Sequence, residues 1–215
     1  MTTYKALIFD LGKVVFDLSF DRVFQAWARA SIRQVDELKA AFRFDELFDQ
    51  FEKAAITPPH FRREISTRLG LTLTDQEFDA GWCAVYLPTY PGINTLLAHL
   101  KQTYRLVALT NTNGIHSQVW KLKYADTLRH FDHVFSSHEL RARKPEASAY
   151  QRVLDYLHLA PAEAVFLDDN LANVNGAARL GLKAILVTSY DQMTAELNTL
   201  GLLKGVPEQG ISSSS

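Results

Sequence analysis

Five short runs of Val, Ile, Leu, Phe and Ala constrain the fold of this 215-residue chain most strongly. Each run is continuously apolar rather than alternating, which is typical of strands covered on both faces in a parallel sheet. The runs span residues 6–9, 106–109, 134–135, 164–167 and 184–187. Helical patterns follow at 93–102, 147–157, 173–180 and 192–200. This alternation predicts an α/β fold with a doubly wound, mostly parallel, Rossmann-like sheet.

One long segment interrupts the alternation after the first predicted strand. Between about residues 20 and 86, apolar residues recur at helical spacing and no strand is predicted. Thr57, before two prolines, and Thr74, three residues before Glu77, are predicted helix N-caps. We therefore expect a helical cap at 18–87, inserted into an α/β core of residues 1–17 and 88–205. Residues 206–215 are predicted to form a disordered tail.

Composition excludes several classes of protein. A formal net charge of −1 gives no broad basic surface, so no nucleic-acid partner is expected. The single cysteine, Cys83, cannot form an internal disulfide and is typical of a reducing compartment. Since no uncharged apolar segment reaches membrane-spanning length, we predict a cytoplasmic protein with no membrane partner. No pattern in the sequence predicts an oligomeric state.

Polar residues follow the predicted strands, at the sheet edge where open α/β sheets bind their ligands. The set consists of carboxylates, a hydroxyl, amides, a lysine and a glycine. In chain order it is Asp10, Gly12, Thr110, Asn111, Lys144, Asp168, Asp169 and Asn173. These are the groups that phosphoryl transfer requires, so the sequence predicts an enzyme that acts on a phosphate ester.

Each group has a predicted role in that chemistry. A phosphate dianion repels a carboxylate nucleophile, so a divalent cation must lie between them. Mg²⁺ prefers oxygen ligands, and we expect Asp10 and Asp169 to be its carboxylates. Thr110 is predicted to donate to a phosphate oxygen, and Asn111 to do so through its backbone or side-chain amide. Lys144 is predicted to neutralise charge on the nucleophile and on the transferred group.

In these motifs the sequence resembles the haloacid dehalogenase superfamily of phosphohydrolases, from residue 7 to about 187. The resemblance implies that Asp10 is an aspartyl nucleophile, with Thr110 as the phosphate-binding hydroxyl and Lys144 as the superfamily's lysine. It also implies a small helical cap over the site. The motifs further resemble the branch with bacterial α-D-glucose-1-phosphate phosphatases and the phosphatase domain of soluble epoxide hydrolases.

That branch also implies how the acidic pair divides its work. Asp169 is expected to bind the metal directly. Asp168 and Asn173 are expected to orient Asp169 or the waters of the ion.

Gly12 departs from the pattern of most phosphatases in this superfamily. They carry a second aspartate there, which protonates the leaving group and then activates water. The Gly12 carbonyl can still bind metal, but acid–base help worth roughly 10²–10⁴ in rate is lost. Asp17, Asp21 and His116 are the candidate replacements, although a structural role is favoured for each. His116 and Arg22 are also candidate contacts to the substrate.

Three functions remain open on the sequence. The preferred one is hydrolysis of a small phosphomonoester, a sugar phosphate such as glucose 1-phosphate, through an aspartyl-phosphate at Asp10 with Mg²⁺. The second is metal-free hydrolysis of a 2-haloacid, which has no use for the paired carboxylates Asp168 and Asp169. The third is a non-catalytic phosphate-binding module, which the absence of an acid at Gly12 suggests.

Overall fold

The computed structural model describes residues 3–203, and its centre is a parallel sheet. The strands are β1 (Ala6–Phe9), β2 (Phe16–Leu18), β3 (Tyr86–Thr89), β4 (Arg105–Thr110), β5 (His133–Ser136), β6 (Ala164–Asp168) and β7 (Lys183–Leu186). Five of them form one sheet in the order β5-β4-β1-β6-β7, and every pairing is parallel. The predicted α/β fold is confirmed, and each predicted apolar run overlaps one of these five strands.

Helices cover both faces of the sheet. They are α1 (Phe20–Ala30), α2 (Val35–Ala41), α3 (Glu46–Glu52), α4 (Pro58–Leu69), α5 (Asp75–Trp82), α6 (Ile93–Leu100), α7 (Gly114–Lys123), α8 (Ala125–Leu128), α9 (Ser137–Leu140), α10 (Ala147–Leu157), α11 (Leu171–Arg179) and α12 (Tyr190–Thr199). Short 3₁₀ turns span Cys83–Val85 and Pro161–Glu163. Successive residues of a strand face opposite sides, so Leu7 and Phe9 pack in one apolar cluster with α6 and α12. Ile8 packs in the other cluster, with α10 and α11.

Helices α1 to α5 pack through their own aromatic side chains. Trp27 of α1 and Trp82 of α5 are stacked with ring centroids 5.7 Å apart, and both are fully buried. The two predicted helix starts are confirmed. The Thr57 side chain accepts a hydrogen bond from the backbone N–H of His60, and Thr74 and Glu77 form a reciprocal capping box.

Two short strands, β2 and β3, were not predicted. They pair antiparallel, with Phe16 opposite Thr89 and Leu18 opposite Tyr86, where the chain enters and leaves the helical segment. Strands of three and four residues are too short to show a period, and Pro88 inside β3 argues against a strand. The proposed domain boundaries, 17/18 and 87/88, fall within these strands.

Two further predictions concern the chain ends and the membrane. The predicted tail at 206–215 lies outside the described residues. Among residues 3–203, no helix combines the length and the apolar character that a membrane span needs.

Candidate active site

The carboxyl ends of the three central strands place acidic and hydroxyl side chains next to one another. Asp10 directly follows β1, Thr110 ends β4 and Asp168 ends β6. Because β1 lies between β4 and β6, these three residues are neighbours at one edge of the sheet. The Asp10 backbone N–H donates to the Leu167 carbonyl at 2.8 Å, which fixes the position of the Asp10 backbone.

Lys144 lies buried beneath this edge, with 1% of its surface exposed. Its Nζ is 2.8 Å from Asp10 Oδ1 and 2.6 Å from Asp168 Oδ2. Asn111 fixes the Lys144 backbone, since its side-chain oxygen accepts from Lys144 N–H and its side-chain amide donates to the Lys144 carbonyl, both at 2.9 Å. The Asn111 side chain is thereby engaged, which leaves its backbone N–H as its candidate phosphate contact.

Asp168 is fully buried and its oxygens are engaged within the protein. It accepts from Lys144 Nζ, from Asn173 Nδ2 at 3.0 and 3.1 Å, and from the Asn170 backbone N–H at 2.8 Å. Asp169 is half-buried and lines the adjoining cavity. The contacts of Asp168 are with Lys144, Asn170 and Asn173, so in this structure Asp168 positions Lys144, whereas Asp169 faces the cavity. The direct binding of metal by Asp169, with Asp168 and Asn173 orienting it or the waters of the ion, stays a prediction.

The carboxylates fit a hard divalent cation. One oxygen from each of Asp10, Asp168 and Asp169 lies within 4.8 Å of the others. Asp10 Oδ1 has no hydrogen-bond partner among the described residues, because the contact with Lys144 lacks hydrogen-bond geometry. Burial raises the pKa of Asp10 to about 7, although Lys144 lowers it, and burial and Asp168 raise the pKa of Asp169. A cation relieves this crowding of like charge, and oxygen donors suit Mg²⁺.

A cavity of about 250 Å³ lies over these residues. Its charged floor consists of Asp10, Gly12, Lys13, Thr110, Asn111 and Asp169. We call the rest of the apolar lining the aromatic wall, because aromatic rings make up most of it. It comes from the helical segment and neighbouring elements and consists of Phe16, Leu18, Phe20, Phe44, Phe48, Val85, Tyr86 and Trp120. The site thus has one surface for charge and one for an apolar group.

His116 lines the cavity but is engaged within the protein. It is buried, its ring stacks on Trp82, and Nε2 lies 3.1 Å from the Trp82 carbonyl. Nδ1 lies 3.2 Å from the Asn113 side-chain amide. Burial lowers the pKa of His116 to about 4, so the ring is neutral at pH 7 with both nitrogens in use. Its position favours the structural role.

The other candidate acids do not line the cavity. Asp17 lies on β2 between Phe16 and Leu18, and those two neighbours line the cavity whereas Asp17 does not. Asp21 is exposed and pairs with Lys39 at 2.8 Å. Arg22 is exposed on the same helix and is also absent from the cavity lining, so its predicted contact with substrate has no support from its position.

Glu52, at the end of α3, is a cavity residue that the sequence did not indicate. It is 5% exposed, and Arg143 Nε donates to its Oε2 at 2.9 Å. Burial raises the pKa of Glu52 to about 7, although Arg143 lowers it. The only available signal was the spacing from Phe48, since residues four apart share a helix face.

The sequence and the fold are similar to those of known hydrolases. Residues 4–181 match the family model of haloacid dehalogenase-like hydrolases. A D-ribitol-5-phosphate phosphatase of Bacteroides thetaiotaomicron is 22% identical over 184 residues, which cover 83% of this chain and 89% of that protein. A sesquiterpene phosphatase of Aspergillus oryzae is 27% identical over 202 residues, which cover 93% and 97%. A solved HAD-family enzyme of B. thetaiotaomicron, in complex with magnesium and inorganic phosphate, is 27% identical with a TM-score of 0.75 over 86% of this chain and 95% of that one.

Proposed function

The chain belongs to the haloacid dehalogenase-like hydrolase family, and we propose that it hydrolyses a phosphomonoester through an aspartyl-phosphate on Asp10 with bound Mg²⁺. The observation that carries the proposal is the contact of Asp10 with buried Lys144, beside Asp168 and Asp169, beneath a cavity. The relatives named as phosphatases support a phosphatase-type hydrolase, and the magnesium and phosphate complex supports the metal.

The polar residues at this edge of the sheet have distinct places in this reaction. Asp10 lies at the cavity, where its carboxylate can attack phosphorus. Burial lowers the pKa of Lys144, but Asp10 and Asp168 together raise it above its ordinary value, so the ammonium stays charged beside the nucleophile. The Thr110 hydroxyl and the Asn111 backbone N–H can donate to phosphate oxygens. Mg²⁺ held by Asp10, Asp169 and the Gly12 carbonyl would supply positive charge between nucleophile and phosphate.

The two other functions fit this floor less well. A 2-haloacid carries a carboxylate of its own, and without a cation the clustered oxygens of Asp10, Asp168 and Asp169 repel it. A non-catalytic phosphate-binding module needs no carboxylate poised against a buried lysine, because charge and backbone N–H groups suffice to bind phosphate.

The sugar phosphate expected from the sequence is one candidate substrate, and the D-ribitol-5-phosphate phosphatase supports a polyol phosphate of that kind. A sugar presents several hydroxyls that need partners when buried. Both nitrogens of His116 are engaged, and Thr112 Oγ1 accepts from Trp120 Nε1. Outside the floor, Glu52 is the one charged side chain among the described residues that line the cavity. The cavity therefore offers the hydroxyls of a sugar few hydrogen-bond partners.

An apolar phosphomonoester, such as an isoprenyl or aryl phosphate, is the second candidate and the one that the aromatic wall favours. Burying apolar surface contributes about 25 cal/mol per Å², so a wall of five phenylalanine and tryptophan rings rewards an apolar leaving group. The sesquiterpene phosphatase, which matches over most of both chains, supports the same substrate class.

A substrate panel tests both parts of the proposal. Glucose 1-phosphate, ribitol 5-phosphate, phenyl phosphate and farnesyl phosphate are assayed with Mg²⁺ or EDTA, on the wild type and on Asp10→Asn. We expect metal-dependent phosphate release that the substitution abolishes, with kcat/KM highest for the apolar esters. Higher kcat/KM for glucose 1-phosphate would contradict the apolar class alone. Metal-free halide release from a 2-haloacid, or no turnover of any ester, would contradict the phosphatase.

A further inference from the structure

The cavity lacks a proton donor at the position where the sequence led us to expect one. Gly12 has no side chain, and a β-carbon built there would lie 2.6 Å from Leu18 Cδ1, so Leu18 fills the space. Asp17 and Asp21 do not line the cavity, and His116 is neutral and engaged. Yet an alkyl phosphate releases a strongly basic alkoxide, which needs a proton as the bond to phosphorus breaks.

We propose that Glu52, brought over the site by helix α3, is the general acid and then the general base of this reaction. The inference rests on the proposed phosphatase function. Glu52 lines the same cavity as Asp10 but belongs to helix α3 of the helical segment, whereas Asp10 follows strand β1 of the sheet. Glu52 Oε2 accepts a hydrogen bond from Arg143, and no hydrogen bond among the described residues involves Glu52 Oε1. Oε1 is therefore available to an atom of the substrate.

Adjacent residues of one loop set the distance between the proposed acid and the nucleophile. Lys144 contacts Asp10, while Arg143 donates to Glu52 and also pairs with Asp49 one turn earlier on α3. Lys53, next to Glu52, pairs with Glu146 of the same loop at 3.0 Å. The loop thereby contacts the nucleophile on one side and, on the other, Asp49 and Glu52 of α3 and the C-cap residue Lys53.

The surroundings of Glu52 suit a group that gives and takes a proton near neutral pH. Arg143, Asp49, Lys144 and Tyr86 are the charged or titratable groups that face it. Burial and Asp49 raise the pKa of Glu52 to about 7, against the lowering by Arg143 and Lys144. An acid–base catalyst is most effective when its pKa is close to the working pH.

The proton balance closes over two steps. An Asp10 oxygen bonds to phosphorus while the ester P–O bond breaks, and the Glu52 proton passes to the ester oxygen to release the alcohol. Water then bonds to the phosphorus of the aspartyl-phosphate while the P–O bond to Asp10 breaks, and the water gives a proton to the Glu52 carboxylate. Inorganic phosphate leaves, and Asp10 and Glu52 return to their starting states.

Leaving-group dependence tests this role. Glu52→Gln keeps the shape and removes the proton, and Glu46→Gln is the matched control, since it makes the same change at an exposed position of α3 outside the cavity. For Glu52→Gln we expect kcat/KM to fall about 10²–10⁴-fold on an alkyl phosphate. On p-nitrophenyl phosphate, whose leaving group needs no proton, the fall should be severalfold at most. Glu46→Gln should leave kcat/KM for both esters unchanged.

The pH profile gives a second readout. Wild-type kcat/KM for the alkyl ester should fall as pH rises above about 7, because Glu52 loses its proton. Glu52→Gln should lack that fall, and Glu52→Asp should restore part of the rate and the pH dependence. If kcat/KM of Glu52→Gln fell equally on both esters, or did not fall, the role of Glu52 would be overturned and the proposed function would stand. A wild type inactive on both esters would overturn the proposed function together with this role.

Discussion

The charged floor and the aromatic wall of the cavity are built in different ways. The floor comes from the ends of β1, β4 and β6, and its side chains are fixed by ion pairs and hydrogen bonds, as at Lys144 and Asp168. The wall comes largely from the helical segment, and its rings are held by packing, as where Phe44 meets Phe20 edge to face at 4.9 Å. Phe44 remains 61% exposed at the cavity. The difference suggests that the sheet carries the chemistry and the helices carry the selectivity.

Removing the buried positive charge beneath the floor should have the largest effect. Lys144→Met leaves Asp10 and Asp168 buried without their cation, so we expect the free energy of unfolding in urea to fall by about 3–5 kcal/mol. Activity on every ester should fall with it. The control, Lys53→Met, removes a partly exposed pair with Glu146 and should cost less than about 1 kcal/mol. Unchanged stability, or a loss of activity confined to one ester, would contradict the role of Lys144 as the buried cation beneath the floor.

Shortening the wall should alter selectivity and leave the floor intact. Phe48→Ser removes a ring from the cavity, worth about 1.5–3 kcal/mol of apolar contact, so kcat/KM for the apolar ester should fall roughly ten- to a hundredfold. The inhibition constant of inorganic phosphate, which contacts only the floor, should stay the same. Leu122→Ser, at a residue 81% exposed and outside the cavity, is the control. Equal weakening of phosphate and ester would remove the distinction between floor and wall.

The two titratable groups beside the wall should give opposite pH dependences of stability. His116 has a folded pKa of about 4, below its ordinary 6.5, so the unfolded chain binds more protons and stability falls as pH drops from 6.5 towards 4. Glu52 has a folded pKa of about 7, above 4.5, so its contribution is present below pH 4.5 and is lost as pH rises through 7.

Urea unfolding at pH 7 and pH 5 checks these signs. Between pH 7 and pH 5, His116→Gln should remove a loss of about 2 kcal/mol from the free energy of unfolding. Glu52→Gln should lose more of its free energy of unfolding over the same interval than the wild type does. If both variants shifted the pH dependence in the same direction, the stated pKa directions would be wrong for one of them.

The floor could be predicted from the sequence because strand order determines it. Buried parallel strands are continuously apolar, and residues after neighbouring strands meet at one edge, which places Asp10, Thr110 and Asp168 together. The division of work between Asp168 and Asp169 was implied by resemblance and stays a prediction, and the contact of Asp168 with Lys144 was not part of it.

The wall and its acid could not be predicted in the same way. The burial of Glu52 depends on Arg143, 91 residues further along the chain, and no local pattern reveals that contact. Between Phe51 and Lys53, a glutamate has the pattern of a solvated helix surface. The engagement of the Asn111 side chain by Lys144, 33 residues away, was hidden for the same reason.

The most direct test of the account is to find the phosphoryl group on Asp10. The enzyme is quenched in acid during turnover of a good substrate and digested, and the masses of its peptides are measured by mass spectrometry. We predict that the peptide containing Asp10 gains the mass of one phosphoryl group, that hydroxylamine removes it, and that Asp10→Asn never acquires it. Steady turnover with Asp10 unmodified, or with the phosphoryl group on another residue, would contradict the assignment of the nucleophile.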